Sequence, residues 1–332
     1  MTNTIQHVIR AADTAIASAY LKVFNERAAL MSFLFHSIFR NEEEMSRNLT
    51  DPLDYTTVAK FRRFIEHYLS HGYEFISPDA LLNGLAEDKK YALLTFDDGY
   101  LNNALVLPIL EEFGVPALFF IATDNIRENK CFWWDVHYRE RVAQGASAAD
   151  LKEESLEFKN FRTHEIEQRL IERFGPNAMR PRTDIDRPFT PAELREFARS
   201  PYVHLGNHTA SHGILTNYSP EEIREQVLGA QASLREMAGV DSIAIAYPNG
   251  DHSDAIIDSC GELGLKLGFT VKPEKTPLPL ASDKRSLLTL GRFCFHGENG
   301  IDTQCRTYRS DWLVYGKFRD SYVRLRRGNV TR

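Results

Sequence analysis

Two carboxylates stand side by side in Thr95-Phe96-Asp97-Asp98-Gly99, at the end of the apolar run Tyr91-Ala92-Leu93-Leu94. Adjacent acids next to a hydrophobic strand are costly unless a cation lies between them or one of them keeps a proton. A turn or a helix cap explains one such Asp but does not ask for two followed by Gly. Far downstream, Asn207-His208-Thr209-Ala210-Ser211-His212 follows the strand-like Tyr202-Val203-His204-Leu205-Gly206. Two histidines four apart fall on one side of a turn, and neutral imidazole is the commonest protein ligand for a first-row metal. Asp98, His208 and His212 together supply one carboxylate and two imidazoles. That set leaves a coordination position open, as in a catalytic rather than a structural zinc-type site. A histidine pair alone is more often part of a surface or a core; its combination with the acid pair is what gives it a chemical reading.

Several elements must carry these residues together. Met31-Ser32-Phe33-Leu34-Phe35 reads as a first strand ending at His36, Phe61 to Gly72 as an amphipathic helix, and Tyr73 to Ile76 as a short strand. Ser77-Pro78 then opens a helix with proline at its first position. Ala104 to Phe113 has helical periodicity and stops at Gly114, and Ala117 to Ala122 is an apolar run expected to be a buried strand. Residues 127–189 break the rhythm with a charged, helix-rich insertion that begins at Phe132-Trp133-Trp134. Thr190-Pro191-Ala192-Glu193 and Ser219-Pro220-Glu221-Glu222 each carry the cap, proline and acid of a helix start, which leaves both histidines in the turn before the second. Ile243 to Ala246 and Leu265 to Phe269 are two more short strands, with a helix from Ser253 to Gly261 between them.

This alternation argues for a parallel α/β architecture. The acid pair, the histidine pair, His36 and Tyr247-Pro248-Asn249-Gly250 all fall just past the C-terminal ends of expected strands, and a parallel α/β barrel gathers those ends on one face. The expected organisation is a helical N-terminal extension over 1–31, with apolar positions at helical intervals through Ile16, Tyr20, Val23 and Phe24, then a barrel over 32–300 carrying the 127–189 insertion. A basic, aromatic C-terminal segment over 301–332 completes it.

The pair of motifs, TFDDG followed by HTASH, resembles the first two motifs of the NodB homology domain, the polysaccharide deacetylases of carbohydrate esterase family 4. The resemblance runs from about Ser32 to Phe295. It implies a distorted, incomplete (β/α) barrel that hydrolyses N-acetyl groups on sugars, with Asp97 as catalytic base and Asp98, His208 and His212 on a divalent metal, zinc first and cobalt, nickel or manganese as alternatives. It also implies an oxyanion held by backbone N–H groups near Tyr100. The leaving amine needs a proton, for which two histidines qualify. His36, in Phe33-Leu34-Phe35-His36-Ser37, resembles the histidine ending the first strand in the rearranged branch that deacetylates exopolysaccharides such as poly-N-acetylglucosamine. His296, in Phe293-Cys294-Phe295-His296-Gly297, is closer to the place it takes in ordinary members. The third family motif begins with an Arg that orients the base, but the matching stretch here is Ala246-Tyr247-Pro248-Asn249-Gly250, without it. Tyr247, Pro248 and Asn249 are expected near the substrate. Arg292, in Leu290-Gly291-Arg292-Phe293, resembles the late Leu-Pro-Arg segment of exopolysaccharide-type members and is a candidate for the missing charge; a surface Arg is the plain alternative.

A chain of 332 residues with a formal net charge of -6 has no electrostatic pull toward nucleic acid. No run reaches membrane-spanning length and no basic start leads into an apolar stretch, so the expectation is a cytoplasmic protein. Cys131, Cys260, Cys294 and Cys305 show no paired ligand spacing and read as buried thiols. From Arg306 to Arg327, Arg306, Arg309, Lys317, Arg319, Arg324, Arg326 and Arg327 interleave with Trp312, Tyr315, Phe318, Tyr322 and Leu325, a pattern that suits a helix in an anionic membrane interface or a terminal helix packed on the barrel. The expected substrate is an N-acetylated sugar in a polysaccharide, an oligosaccharide or a lipid-linked precursor. A deformylase or other amide hydrolase acting on a lipid-linked or nucleotide-linked sugar would keep the same metal chemistry. A non-catalytic carbohydrate-binding protein on this scaffold would be expected to have lost the base or a ligand, and none is lost.

Overall fold

A computed structural model describes residues 3–52, 56–281, 283–295 and 300–311, with side chains from residue 12 onward. Among these residues one sheet holds nine strands, β1 (Ala29–Phe35), β2 (Tyr73–Phe75), β3 (Lys90–Phe96), β4 (Ala117–Ile121), β5 (Val203–Asn207), β6 (Ala244–Ala246), β7 (Leu267–Phe269), β8 (Thr276–Pro277) and β9 (Phe293–Cys294). The parallel backbone of the sheet runs β7-β6-β5-β4-β3-β1. β2 and β4 share one edge of β3, the first pairing with Lys90 to Ala92 and the second with Leu94 to Phe96. β8 lies antiparallel against the start of β1.

The sheet curls until its two sides are joined by the segment from Leu290 to Cys294. Leu290 N–H donates to Gly268 O and Thr270 N–H donates to Leu290 O, each at 2.8 Å, while Phe293 and Cys294 pair with Phe33 and Leu34 of β1. One bridging residue and a two-residue strand span this gap, and the result is the distorted, incomplete (β/α) barrel expected from the sequence.

Side chains on β3 alternate between two environments. Ala92, Leu94 and Phe96 pack outward with Phe61 and Phe64 of the Val58–Ser70 helix, Ile109 of Leu107–Phe113, and Leu194 and Phe197 of Pro191–Phe197. Tyr91 and Leu93 pack with Leu30, Leu118, Phe120, Ala246 and Phe269. Continuing with a period of two, the next positions on that second face are Thr95 and Asp97. Burial on both faces is why β1, β3 and β4 read as predominantly apolar runs.

The helix starts at Ser77, Thr190 and Ser219 form as expected, each with its hydroxyl accepting the N–H of the third helical residue. Three expectations are corrected. The helix expected over Ala104 to Phe113 is a 3-10 turn over Leu101–Val106 followed by an α-helix from Leu107, because Pro108 has no N–H to give the carbonyl four residues back. The helix expected from Phe61 begins at Val58, capped by the Thr57 hydroxyl. β1 begins at Ala29, paired with Lys90, so the strand starts earlier than its apolar pattern suggested. β8 and β9 are too short to show any periodicity.

Within 127–189, the helices Trp133–Ala143, Ala148–Phe158 and Thr163–Phe174 share a small core around Trp133, Val136, Ile166 and Leu170. The Asn3–Val23 helix packs on Ile301–Arg309. Tyr20 donates to Asp311 at 3.0 Å, and Arg309 is paired with the buried Glu26 carboxylate, which turns this arginine inward. The rest of the basic C-terminal segment, from Trp312, lies outside the described residues. None of the four cysteines is in a disulfide among the described residues, three of them are buried, and burial pushes Cys260 up to about 12. Among the described residues no helix is long and apolar enough to cross a membrane.

Candidate active site

The C-terminal ends of β1, β3, β5 and β6 deliver the site. Asp97 and Asp98 leave β3, His208 and His212 leave β5, and His36 follows β1 directly. Asp98 has φ 79°, Thr209 φ 62° and His212 φ 54°, left-handed conformations that cost a non-glycine residue about 1–3 kcal/mol each and persist only where the surroundings impose them. Here the surroundings do. Ala122 N–H donates to Asp98 O at 3.1 Å. The Asn207 side chain accepts Thr209 N–H at 2.8 Å and donates to Val227 O at 2.9 Å, while the Thr209 hydroxyl accepts Gly213 N–H at 2.8 Å. Gln226, from the Pro220–Ala238 helix, accepts from Ser211 N–H at 3.0 Å.

These constraints bring Asp98, His208 and His212 together, with one ligand atom from each lying within 4.8 Å of the others. Both imidazole Nε2 atoms stand 3.3 Å from Asp98 Oδ1. That is close to the separation of two ligands on one tetrahedral ion with bonds of about 2.0–2.1 Å. His208 Nδ1 lies 2.9 Å from Ala246 O, and a carbonyl can only accept, so the ring proton sits on Nδ1 and the Nε2 lone pair faces Asp98. Both Asp98 carboxylate oxygens are buried without a hydrogen-bond partner. A buried carboxylate that faces two imidazoles and has no hydrogen-bond partner among the described residues is an unfavourable arrangement alone and a suitable one for a cation, so these residues fit a divalent metal. Burial would push the Asp98 carboxyl up, and only positive charge at this site, an imidazolium or a bound cation, holds it below the ordinary carboxylate range. Burial also holds His212 below its ordinary value, against the pull of Asp98. An ionised acid and a neutral imidazole are the forms that ligate metal.

Asp97 has a different set of partners. Burial raises its carboxyl, yet Arg292 and then His208 bring it net below the usual value. Arg292 is wholly buried, and its guanidinium grips both carboxylate oxygens, at 2.6 Å and 2.8 Å. The fork is itself held: Nη1 donates to Thr95 Oγ1 and Nε to Thr270 O, each at 3.0 Å. Arg292 reaches this position because it lies between the Leu290 bridge to β7 and the β9 pairing to β1. Its guanidinium is the partner of the Asp97 carboxylate.

The remaining sequence-derived residues are placed as follows. His36 is half-buried, its carbonyl accepts Asn103 Nδ2 at 2.6 Å, and it lies close enough for its charge to act on both Asp97 and Asp98. His296 lies outside the described residues. The side chain of Tyr247 is wholly buried among Leu215, Val227 and Ile257, and its hydroxyl donates to Leu288 O at 3.0 Å. The Tyr247 side chain thus turns into the core, and Pro248 is buried beside it. Asn249 is exposed, with φ 60°, and accepts Lys159 Nζ from the insertion at 2.6 Å. The Tyr100 ring is buried with its backbone two residues beyond Asp98. Sequence reasoning missed Thr95, Asn103, Asp135 and Gln226 as supports of the site; the Trp133-Trp134 cluster was the nearest signal for Asp135.

A sequence model of the family described as polysaccharide deacetylase matches residues 85–268, more than half of the chain and both motifs. The chain belongs to the polysaccharide deacetylase family. No curated protein matches its sequence. Its fold is similar to that of the Streptococcus pyogenes deacetylase PplD, solved with acetate, at 19% identity and a TM-score of 0.57, over 85% of this chain and 99% of that one. IcaB from Ammonifex degensii aligns at 15% identity and 0.56, covering 86% and 99%, and the BpsB deacetylase domain from Bordetella bronchiseptica at 19% and 0.51, covering 82% and 98%. At these identities the likeness is one of fold.

Proposed function

We propose that this protein is a metal-dependent hydrolase that removes the N-acetyl group from an amino sugar of a polysaccharide, an oligosaccharide or a lipid-linked glycan precursor. One observation carries the reading: an Arg-clamped carboxylate, Asp97, stands beside a second buried carboxylate, Asp98, which the Nε2 atoms of two imidazoles face. A divalent cation held by Asp98, His208 and His212 would supply Lewis acidity at the amide carbonyl, zinc being the first choice for one carboxylate and two imidazoles. Asp97 takes the proton of the attacking water, and Arg292 keeps that carboxylate ionised and aimed. The Tyr100 backbone N–H is the donor assigned to the developing oxyanion. His36 gives a proton to the sugar nitrogen as the C–N bond breaks, so the products are acetate and a free amine.

The test is amine and acetate release from N-acetylated oligosaccharides and lipid-linked N-acetyl sugars, with metal content measured on the same sample before and after chelation. N-formyl analogues run in parallel decide the acyl group. A protein that holds one metal ion per chain and releases no amine from any of these substrates would overturn the reading. Full activity after chelation would overturn the role given to the metal.

A further inference from the structure

The insertion that begins at Phe132-Trp133-Trp134 reaches into the site through Asp135. This carboxylate is completely buried and, among the described residues, faces no cation. Oδ1 accepts the backbone N–H of Asp51 at 2.8 Å, from the loop after β1, and Oδ2 accepts the Tyr100 hydroxyl at 2.7 Å, from the loop after β3. The direction of the second bond follows from the third. Trp134 Nε1 lies 2.9 Å from the Tyr100 hydroxyl and can only donate, so the phenol oxygen accepts from the indole and its own proton points at Asp135. The Trp134 ring in turn stands against the His212 ring, with centroids 4.5 Å apart. Phe132 stacks on Trp134 at 5.0 Å.

Each end of this chain of contacts touches something the proposed reaction needs. The main chain around Tyr100 is held by Leu101 N–H on Arg187 O at 3.1 Å and by Phe189 N–H on Gly99 O at 3.2 Å. Its side chain is held by Asp135 and Trp134. Two residues earlier stands Asp98 in its left-handed conformation. Building on the reading of the protein as an amide hydrolase, we propose that Asp135 is a positioning residue: it locks the Tyr100 phenol, which aims the Tyr100 backbone N–H, and through Trp134 it holds His212 in its ligating orientation. Two donors converge on this one buried side chain, from Asp51 and from Tyr100, and fix its orientation. The insertion is thereby part of the active site, a clamp on the two loops that carry the acid pair and the second histidine.

Three variants test this: Asp135→Asn, Tyr100→Phe, which removes one hydroxyl, and the double variant. Each is measured for kcat and KM on an N-acetylated oligosaccharide, for its Tm, and for the visible absorption of the cobalt(II)-loaded protein, which reads ligand geometry without turnover. Each single variant should bind cobalt with altered absorption bands and lose kcat by about tenfold or more with KM within about twofold, as for a misplaced oxyanion donor. The double variant should be no slower than the slower single variant, because both substitutions break one chain of contacts. Losses that multiply, or wild-type kcat and cobalt spectra with only a lowered Tm, would overturn the proposal. If the wild type hydrolyses no amide, the deacetylase reading fails while the cobalt spectra still decide whether Asp135 orients His212.

Discussion

Replacing Arg292 with Met removes the guanidinium and keeps the length and most of the apolar stem. What remains is the Asp97 carboxylate in a buried site, with the Thr95 hydroxyl and the Thr270 carbonyl also short of a donor. Breaking a buried pair by deleting one partner costs about 3–5 kcal/mol, because the other charge is left uncompensated. For a chain of this size that amounts to a Tm lower by roughly 4–7 °C. The penalty depends on pH, and its sign follows from the carboxylate. In the wild type Asp97 lies below its unfolded value, so its stabilisation is present above the unfolded pKa and is lost as pH falls through the folded one. In Arg292→Met burial loses its main opponent, the folded pKa rises, and protonation relieves the strain as pH falls. Calorimetry on the metal-free proteins should therefore show a wide Tm gap at pH 8 that narrows by pH 5. Adding Asp97→Asn to Arg292→Met should raise Tm above that of the single variant, since the orphaned charge is gone. A pH-independent gap, or a double variant less stable than Arg292→Met, would refute the reasoning.

Three further outcomes are expected. His208→Ala and His212→Ala should each lose bound metal and activity together, whereas Asp97→Asn should keep its metal and lose on the order of a thousandfold in kcat; elemental analysis beside turnover reads both, and the reverse result for Asp97 and Asp98 would exchange their roles. His36→Ala should lower kcat by about a hundredfold or more without loss of metal and His296→Ala should be mild; a severe His296 effect with a near-normal His36 variant would move the proton donor to the later histidine. Gly268→Ala should cost about 1–3 kcal/mol in denaturant unfolding, because the new methyl meets the Leu288 carbonyl and the Tyr247 hydroxyl where the Leu290 bridge joins β7.

Much of this was open to a reader of the sequence, and the reason is locality. Helix caps at Ser77, Thr190 and Ser219 are decided within four residues, by a hydroxyl and the N–H it can reach. Strands buried on both faces announce themselves as apolar runs, and the acid pair and histidine pair each lie within a single turn, so their chemistry could be read before their meeting was seen. What depends on groups far apart in the chain was not decided there. Arg292 lies 195 residues from Asp97, and only closure of the barrel through Leu290 and β9 shows it to be the buried partner of the base and not a surface charge. The side chain of Tyr247 follows a motif yet turns into the core, because its hydroxyl finds Leu288 O there. Asp135 reads as one acid in a charged insertion until the fold sets Asp51, Tyr100 and Trp134 around it. Sequence spacing determines which groups are available for chemistry and for capping; burial and long-range pairing, which set charge state and orientation, are properties of the tertiary structure alone.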